Sequence, residues 1–275
     1  MATTTARTLD VRGARLYYEV TGSGPVLAVL GLPMDHTGFA QIVPELADRY
    51  TVVTYDPRGF LESTVEDADE DLAPELVADD VHHVLAAVAD EPAFVLGSSG
   101  GAVTSLALAL AHPDQVRLVV AHEPPIAAFL PDAERRRAQV RDIHETYQSD
   151  GIGPAFVKFL AMVMPEGAPP IDPRDMMGEP TPEMIATSER MLGHSIVPTT
   201  GYEPDSKVLG ALADRVVIGV GTTSEHTFAH DAGRALAERA GLRVAEFPGG
   251  HDGFISDAGP FAATLDELLR AHRAS

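Results

Sequence analysis

Five residues, Gly97-Ser98-Ser99-Gly100-Gly101, constrain this chain more than any others. The apolar run Ala93-Phe94-Val95-Leu96 leads into them and the small-residue segment Ala102 to Leu110 leads out, which reads as a strand, a sharp turn and a helix. A serine at the apex of such a turn leaves no room for side chains two residues before or after it, so glycine is wanted at both places. Ser99 meets that requirement, with Gly97 and Gly101 on either side, whereas Ser98 has Leu96 upstream. The same five residues also suit a turn that packs a helix on a sheet, or one that cradles a phosphate at a helix N-terminus. The surrounding pattern favours an exposed, activated serine.

That pattern is an alternation of strands and helices. Arg15 to Val20 alternates and ends at Gly22-Ser23-Gly24-Pro25, as an early antiparallel strand would. Val26 to Leu30 is continuously apolar, as expected of a strand buried on both faces. A short helix over 41–47, a strand over 50–55 and an amphipathic helix over 74–89 follow. After the serine turn come strands at 116–121, 215–220 and 243–247, with helices near 229–240 and 260–273. The fold class is therefore α/β, a doubly wound and mostly parallel sheet of about eight strands.

Residues 126–207 break the alternation, with helical pieces near 133–148, 153–164 and 183–192 joined by loops rich in proline and glycine. Met162, Met164, Met176, Met177, Met184 and Met191 fall there, six of the eight in the chain. Methionine fills irregular apolar space, so the segment reads as a helical cap lining an apolar cavity, or as a cap with an ordinary methionine-rich core. The expected organisation is a core of 1–125 and 208–275 with the cap inserted at 126–207.

The 275 residues carry a formal charge of −21, which argues against nucleic acid and anionic membranes as partners. The longest apolar strand runs are far short of the ~20 residues of a membrane helix, and Met1 to Asp10 lacks an apolar signal core, so a cytoplasmic address is expected. There is no cysteine, hence no disulfide, thiolate metal site or cysteine nucleophile. No cofactor or metal is expected. His226 and His230 have i,i+4 spacing, but no third ligand accompanies them. The expected partner is an apolar small molecule, and a homodimer is compatible with the chain.

Taken together, these motifs resemble the α/β-hydrolase fold superfamily over nearly the whole chain. Asp56-Pro57-Arg58-Gly59-Phe60-Leu61-Glu62-Ser63 is similar to that family's Asp-x-Arg-Gly-x-Gly-x-Ser loop, with Leu61 in place of a glycine, and Arg58 is expected to tie neighbouring turns together. Phe247-Pro248-Gly249-Gly250-His251-Asp252-Gly253 resembles its histidine loop. A serine hydroxyl needs a base to take its proton, and the resemblance assigns that role to His251.

Two glutamates compete for the third position. The common family site lies just after the penultimate strand, here Gly221-Thr222-Thr223-Ser224-Glu225, where Ser224 occupies the usual aspartate position with Glu225 beside it. A second site lies at the end of the strand after the serine helix, where the chain reads Ala121-His122-Glu123-Pro124-Pro125. Some haloalkane dehalogenases and the zearalenone-type lactonases carry a glutamate there, which favours Glu123 over Glu225; the alternative for Glu123 is a carboxylate capping the cap hinge. The oxyanion hole is expected from the backbone N–H groups of Gly100 and Leu32, the latter in a loop that begins Leu30-Gly31 where the family writes His-Gly.

A serine nucleophile is unlike the aspartate of haloalkane dehalogenases and epoxide hydrolases, and the chain has no tryptophan for a halide site. The resemblance therefore implies acyl chemistry on an ester or lactone, the glutamate placement pointing to a ring-opening lactonase. A C–C bond hydrolase, an acyltransferase, a perhydrolase and a small-molecule binding protein on the same scaffold are the alternatives.

Overall fold

The computed structural model describes residues 2–165 and 178–274. The continuous apolar runs form the centre of the sheet: β3 (Val26–Leu30), β4 (Thr51–Tyr55), β6 (Ala93–Ser98), β7 (Val116–His122) and β8 (Val216–Gly221) are buried along almost their whole length. With β9 (Arg243–Phe247) they run parallel, and β2 (Ala14–Gly22) pairs antiparallel with β4. The spatial order is β1-β2-β4-β3-β6-β7-β8-β9. Buried side chains on one face pack against the helices Pro74–Val88, Gly100–Ala111 and Phe228–Ala240. Those on the other face pack against residues 36–47 and the helix Ala258–Ala274.

The sheet has nine strands rather than about eight. The additions are β1 (Thr4–Val11), which pairs with β2 around a turn at Gly13, and the two-residue β5 (Thr64–Val65). β1 lies at the sheet edge with its first five residues exposed, so it carries pairing but no apolar face for a sequence pattern to reveal. The short helix of the 41–47 stretch covers Val43–Leu46.

Arg58 is 2% exposed and grips two acidic neighbours. Its Nε and Nη2 donate to the two carboxylate oxygens of Asp80 at 2.7 and 2.6 Å, and its Nη1 donates to Glu70 at 2.9 Å. Burial pushes the Asp80 carboxyl up, and this forked pair draws it back toward the ionised form.

Between β7 and β8 the chain forms the helices Ala133–Asp150, Ile152–Val163, Pro182–Arg190 and Ile196–Thr200. A π-helical turn, Met191–Ser195, joins the last two. Met162 and Met191 are buried in a cluster of their own with Val140, Ile143, Leu192, Ile196 and Phe228. Met176 and Met177 lie outside the described residues. No helix among the described residues is long and apolar enough to cross a membrane.

Candidate active site

Ser99 sits where β6 ends and the helix Gly100–Ala111 begins, with φ 56° and ψ −124°. A positive φ on a non-glycine residue costs on the order of 1–3 kcal/mol and persists only where the surroundings enforce it. They do so here. A Cβ on Gly101 would lie 2.1 Å from the Leu30 carbonyl oxygen, and one on Gly97 would lie 2.3 Å from the Gly101 oxygen. The Ser99 N–H is tied to the His122 carbonyl at 3.0 Å.

His122 and Glu123 end β7 one strand away. Glu123 is fully buried with φ 50°, its N–H bonded to the Gly219 carbonyl at 2.9 Å. Its Oε2 meets His251 Nδ1 at 2.7 Å. Its Oε1 accepts from the Gly221 backbone N–H at 2.8 Å and from the Ser224 hydroxyl. Burial pushes this carboxyl up, but the hydrogen bond from His251, the electrostatic pull of His122 and His251 and the Ser224 bond together outweigh burial and bring it down to about 2. The carboxylate is therefore ionised throughout the neutral range and is aimed at one nitrogen of His251. Glu225 is exposed and makes no hydrogen bond to His251 among the described residues.

Ser99, Gly100, Leu32 and His251 line one cavity of about 520 Å³. Among the described residues no hydrogen bond closes between Ser99 and His251, a looseness common before substrate binds. Leu32 is buried against the serine turn: a Cβ on Gly100 would lie 2.5 Å from the Leu32 oxygen. Gly100 opens a helix, where the first N–H groups have no intrahelical partner and point outward with the positive end of the dipole. Elsewhere the walls are largely apolar, built from Pro33, Pro125, Phe159, Met162, Val163, Met164, Met191, Ile196 and Phe228. Met184 is not among them.

Two partners of this site have no clear signature in the sequence. Ser224 stands where the family pattern expects a carboxylate, and its hydroxyl instead holds the carboxylate of Glu123, 101 residues earlier in the chain. His122 is fully buried beneath the site, with ring centroids 5.2 Å from Phe261, 5.6 Å from Phe247 and 6.4 Å from His251. Burial pushes its imidazole down to about 4, so it is neutral where His251 works.

The one metal-like grouping among the described residues is Asp35, His36 and Asp56, whose ligand atoms lie within 4.8 Å of one another. Asp56 is already occupied by the His36 and Glu62 backbone N–H groups and by His36 Nδ1 at 2.7 Å, bonds that close the loop after β4. His226 precedes the helix Phe228–Ala240, so it does not share that helix with His230.

Residues 24–258 match the family model of the alpha/beta hydrolase fold. The uncharacterized hydrolase YraK of Bacillus subtilis (strain 168) is 30% identical over 270 residues, covering 97% of this chain and 96% of the relative. A thermophilic esterase from Thermogutta terrifontis superposes with a TM-score of 0.72 at 22% identity, covering 99% of each chain. A hydrolase from Pseudomonas aeruginosa PA01 superposes with a TM-score of 0.70 at 22% identity, covering 96% of this chain and 98% of the other. With a family model matching most of its length and a relative 30% identical over 97% of it, this chain belongs to the α/β-hydrolase family.

Proposed function

We propose that this protein is a serine hydrolase that cleaves a carboxylic ester or lactone of an apolar small molecule through an acyl-Ser99 intermediate. The observation that carries the reading is the 2.7 Å bond between the buried Glu123 carboxylate and His251 Nδ1, with Ser99 in the same cavity. The bond holds the imidazole in the tautomer whose Nε2 is free to accept a proton.

Ser99 Oγ attacks the substrate carbonyl carbon while its proton passes to His251 Nε2. Ionised Glu123 stabilises the imidazolium that results. The N–H groups of Gly100 and Leu32 take the negative charge that develops on the carbonyl oxygen. Collapse breaks the bond to the alcohol oxygen, which leaves with the proton from His251. A water then gives a proton to His251 as its oxygen attacks the acyl carbon; the bond to Ser99 Oγ breaks, and His251 returns the proton to Ser99 as the acid product leaves. In a lactone, alcohol and acid stay joined and the ring opens.

Largely apolar walls support an uncharged substrate, because an ion would lose hydration against them; the Asp252 carboxylate also lines the cavity but is exposed to solvent. The segment 126–207, whose described residues hold the helices Ala133–Asp150, Ile152–Val163, Pro182–Arg190 and Ile196–Thr200, is read as a cap, since Met162, Met164 and Met191 line the same cavity as Ser99.

Acid-quenched mass spectrometry during turnover of p-nitrophenyl hexanoate tests the reading. The protein is expected to carry one hexanoyl group, on the peptide containing Ser99. Ser99→Ala is expected to carry none and to release no p-nitrophenol above the uncatalysed rate. Turnover retained by Ser99→Ala, or an acyl group on another residue, would overturn it.

A further inference from the structure

Two buried hydroxyls on the cavity wall have no part in the acyl mechanism. Ser195 and Thr199 line it, and they are 2% and 5% exposed. A buried hydroxyl in a helix ordinarily bonds back to the carbonyl four residues earlier. Thr146, Ser188 and Thr200 in this segment do so, to Asp142, Met184 and Ile196 at 2.6, 2.7 and 2.7 Å.

Ser195 and Thr199 do not. Their hydroxyls find only each other among the described residues, at 3.5 Å, the limit of a hydrogen bond. The π-helical turn Met191–Ser195 ends at this point, where the Ile196 N–H bonds to the Met191 carbonyl. The other hydroxyls on the cavity wall are committed or wet: Ser224 to Glu123, Thr227 to the Ser224 carbonyl and Thr200 to Ile196, while Thr223 is exposed.

We propose that Ser195 and Thr199 form an oxygen-binding subsite, and that the substrate is an apolar ester or lactone bearing a keto or hydroxyl oxygen remote from the bond that is cleaved. Two hydroxyls that lack strong partners in a dry wall leave hydrogen-bonding capacity unmet, and a neutral oxygen on the ligand completes it. Phe159, Met162, Met191 and Phe228 line the same cavity and disfavour a charged group in it. The subsite rests on the ester-hydrolase reading for its role in turnover, but not for its capacity to bind.

The test uses p-nitrophenyl octanoate and a series carrying one keto oxygen at successive carbons of the acyl chain. Wild-type protein is expected to favour one keto position over plain octanoate by about tenfold in kcat/KM, the order of one hydrogen bond made in a dry site. In the double variant Ser195→Ala, Thr199→Val the ratio is expected to fall to about one. Calorimetric titration with the corresponding N-methyl octanamides reads the same preference without hydrolysis. If no ester turns over but the keto-amide preference is present and is lost in the variant, the hydrolase reading fails and the subsite stands. Turnover with no keto position favoured overturns the subsite alone, as does a preference that survives the double variant. A keto series that is neither turned over nor bound in preference overturns both.

Discussion

Glu123→Gln should lower kcat by about 10⁴-fold, the scale seen when a triad carboxylate is neutralised in place. The amide keeps the side chain's size and an oxygen for the Gly221 N–H and the Ser224 hydroxyl. It cannot, however, supply the negative charge now 2.7 Å from His251 Nδ1. Its NH2 group also favours the wrong imidazole tautomer, directing the lone pair away from Ser99. Glu225→Gln should leave kcat within a factor of two, because Glu225 is exposed and makes no bond to His251 among the described residues. Steady-state kinetics of the two variants on one ester, with circular dichroism to verify folding, checks both. The reverse pattern would transfer the acid role to Glu225.

Arg58→Leu should destabilise the protein by about 3–5 kcal/mol at neutral pH, the range for breaking a buried ion pair by removing one partner. Asp80 would be left with 1% of its surface exposed and no cation in reach of both oxygens. Asp80 already has its carboxyl pushed up by burial, and losing Arg58 would raise it further. A carboxyl raised in the folded state destabilises above its folded pKa and is neutral in both states below its unfolded one. The deficit relative to wild type should therefore shrink as pH falls. Arg58→Leu combined with Asp80→Leu should recover most of the loss, since no unpaired charge remains. Urea unfolding of the wild type, the single and the double variant at pH 7 and pH 5 measures all three effects. A single variant as stable as the wild type at pH 7 would show that Arg58 does not stabilise Asp80.

Much of this was legible in the sequence, because its signals are local. A strand buried on both faces must be apolar throughout, and a serine turn packed as tightly as this one admits only glycine at 97 and 101. The choice between Glu123 and Glu225 is narrowed but not made by the chain alone, since it depends on whether a carboxylate 128 residues from His251 in sequence folds against it. The structure puts the strand end at 123 under His251 and leaves 225 in solvent. Ser224 illustrates the limit: it reads as a missing carboxylate, and its contact with Glu123 becomes visible only when β7 and β8 lie side by side.

Other features were silent for identifiable reasons. β1 presents exposed threonines and arginine rather than an alternating apolar face, so only its pairing with β2 reveals it. The π turn at Met191–Ser195 has no local composition that distinguishes it from the flanking helices, yet it ends at Ser195, one of the two residues of the inferred subsite. The methionines were read as a group, but they divide: Met162, Met164 and Met191 face the cavity, and Met184 does not.

The most direct test of an activated Ser99 is intact-protein mass spectrometry after exposure to a fluorophosphonate, with Ser99→Ala in parallel. The account expects one phosphonyl adduct per chain, with fluoride lost, located on Ser99, absent from Ser99→Ala and formed far more slowly in Glu123→Gln. A folded wild-type protein that stays unlabelled, or a Ser99→Ala protein that labels as fast as the wild type, would contradict it.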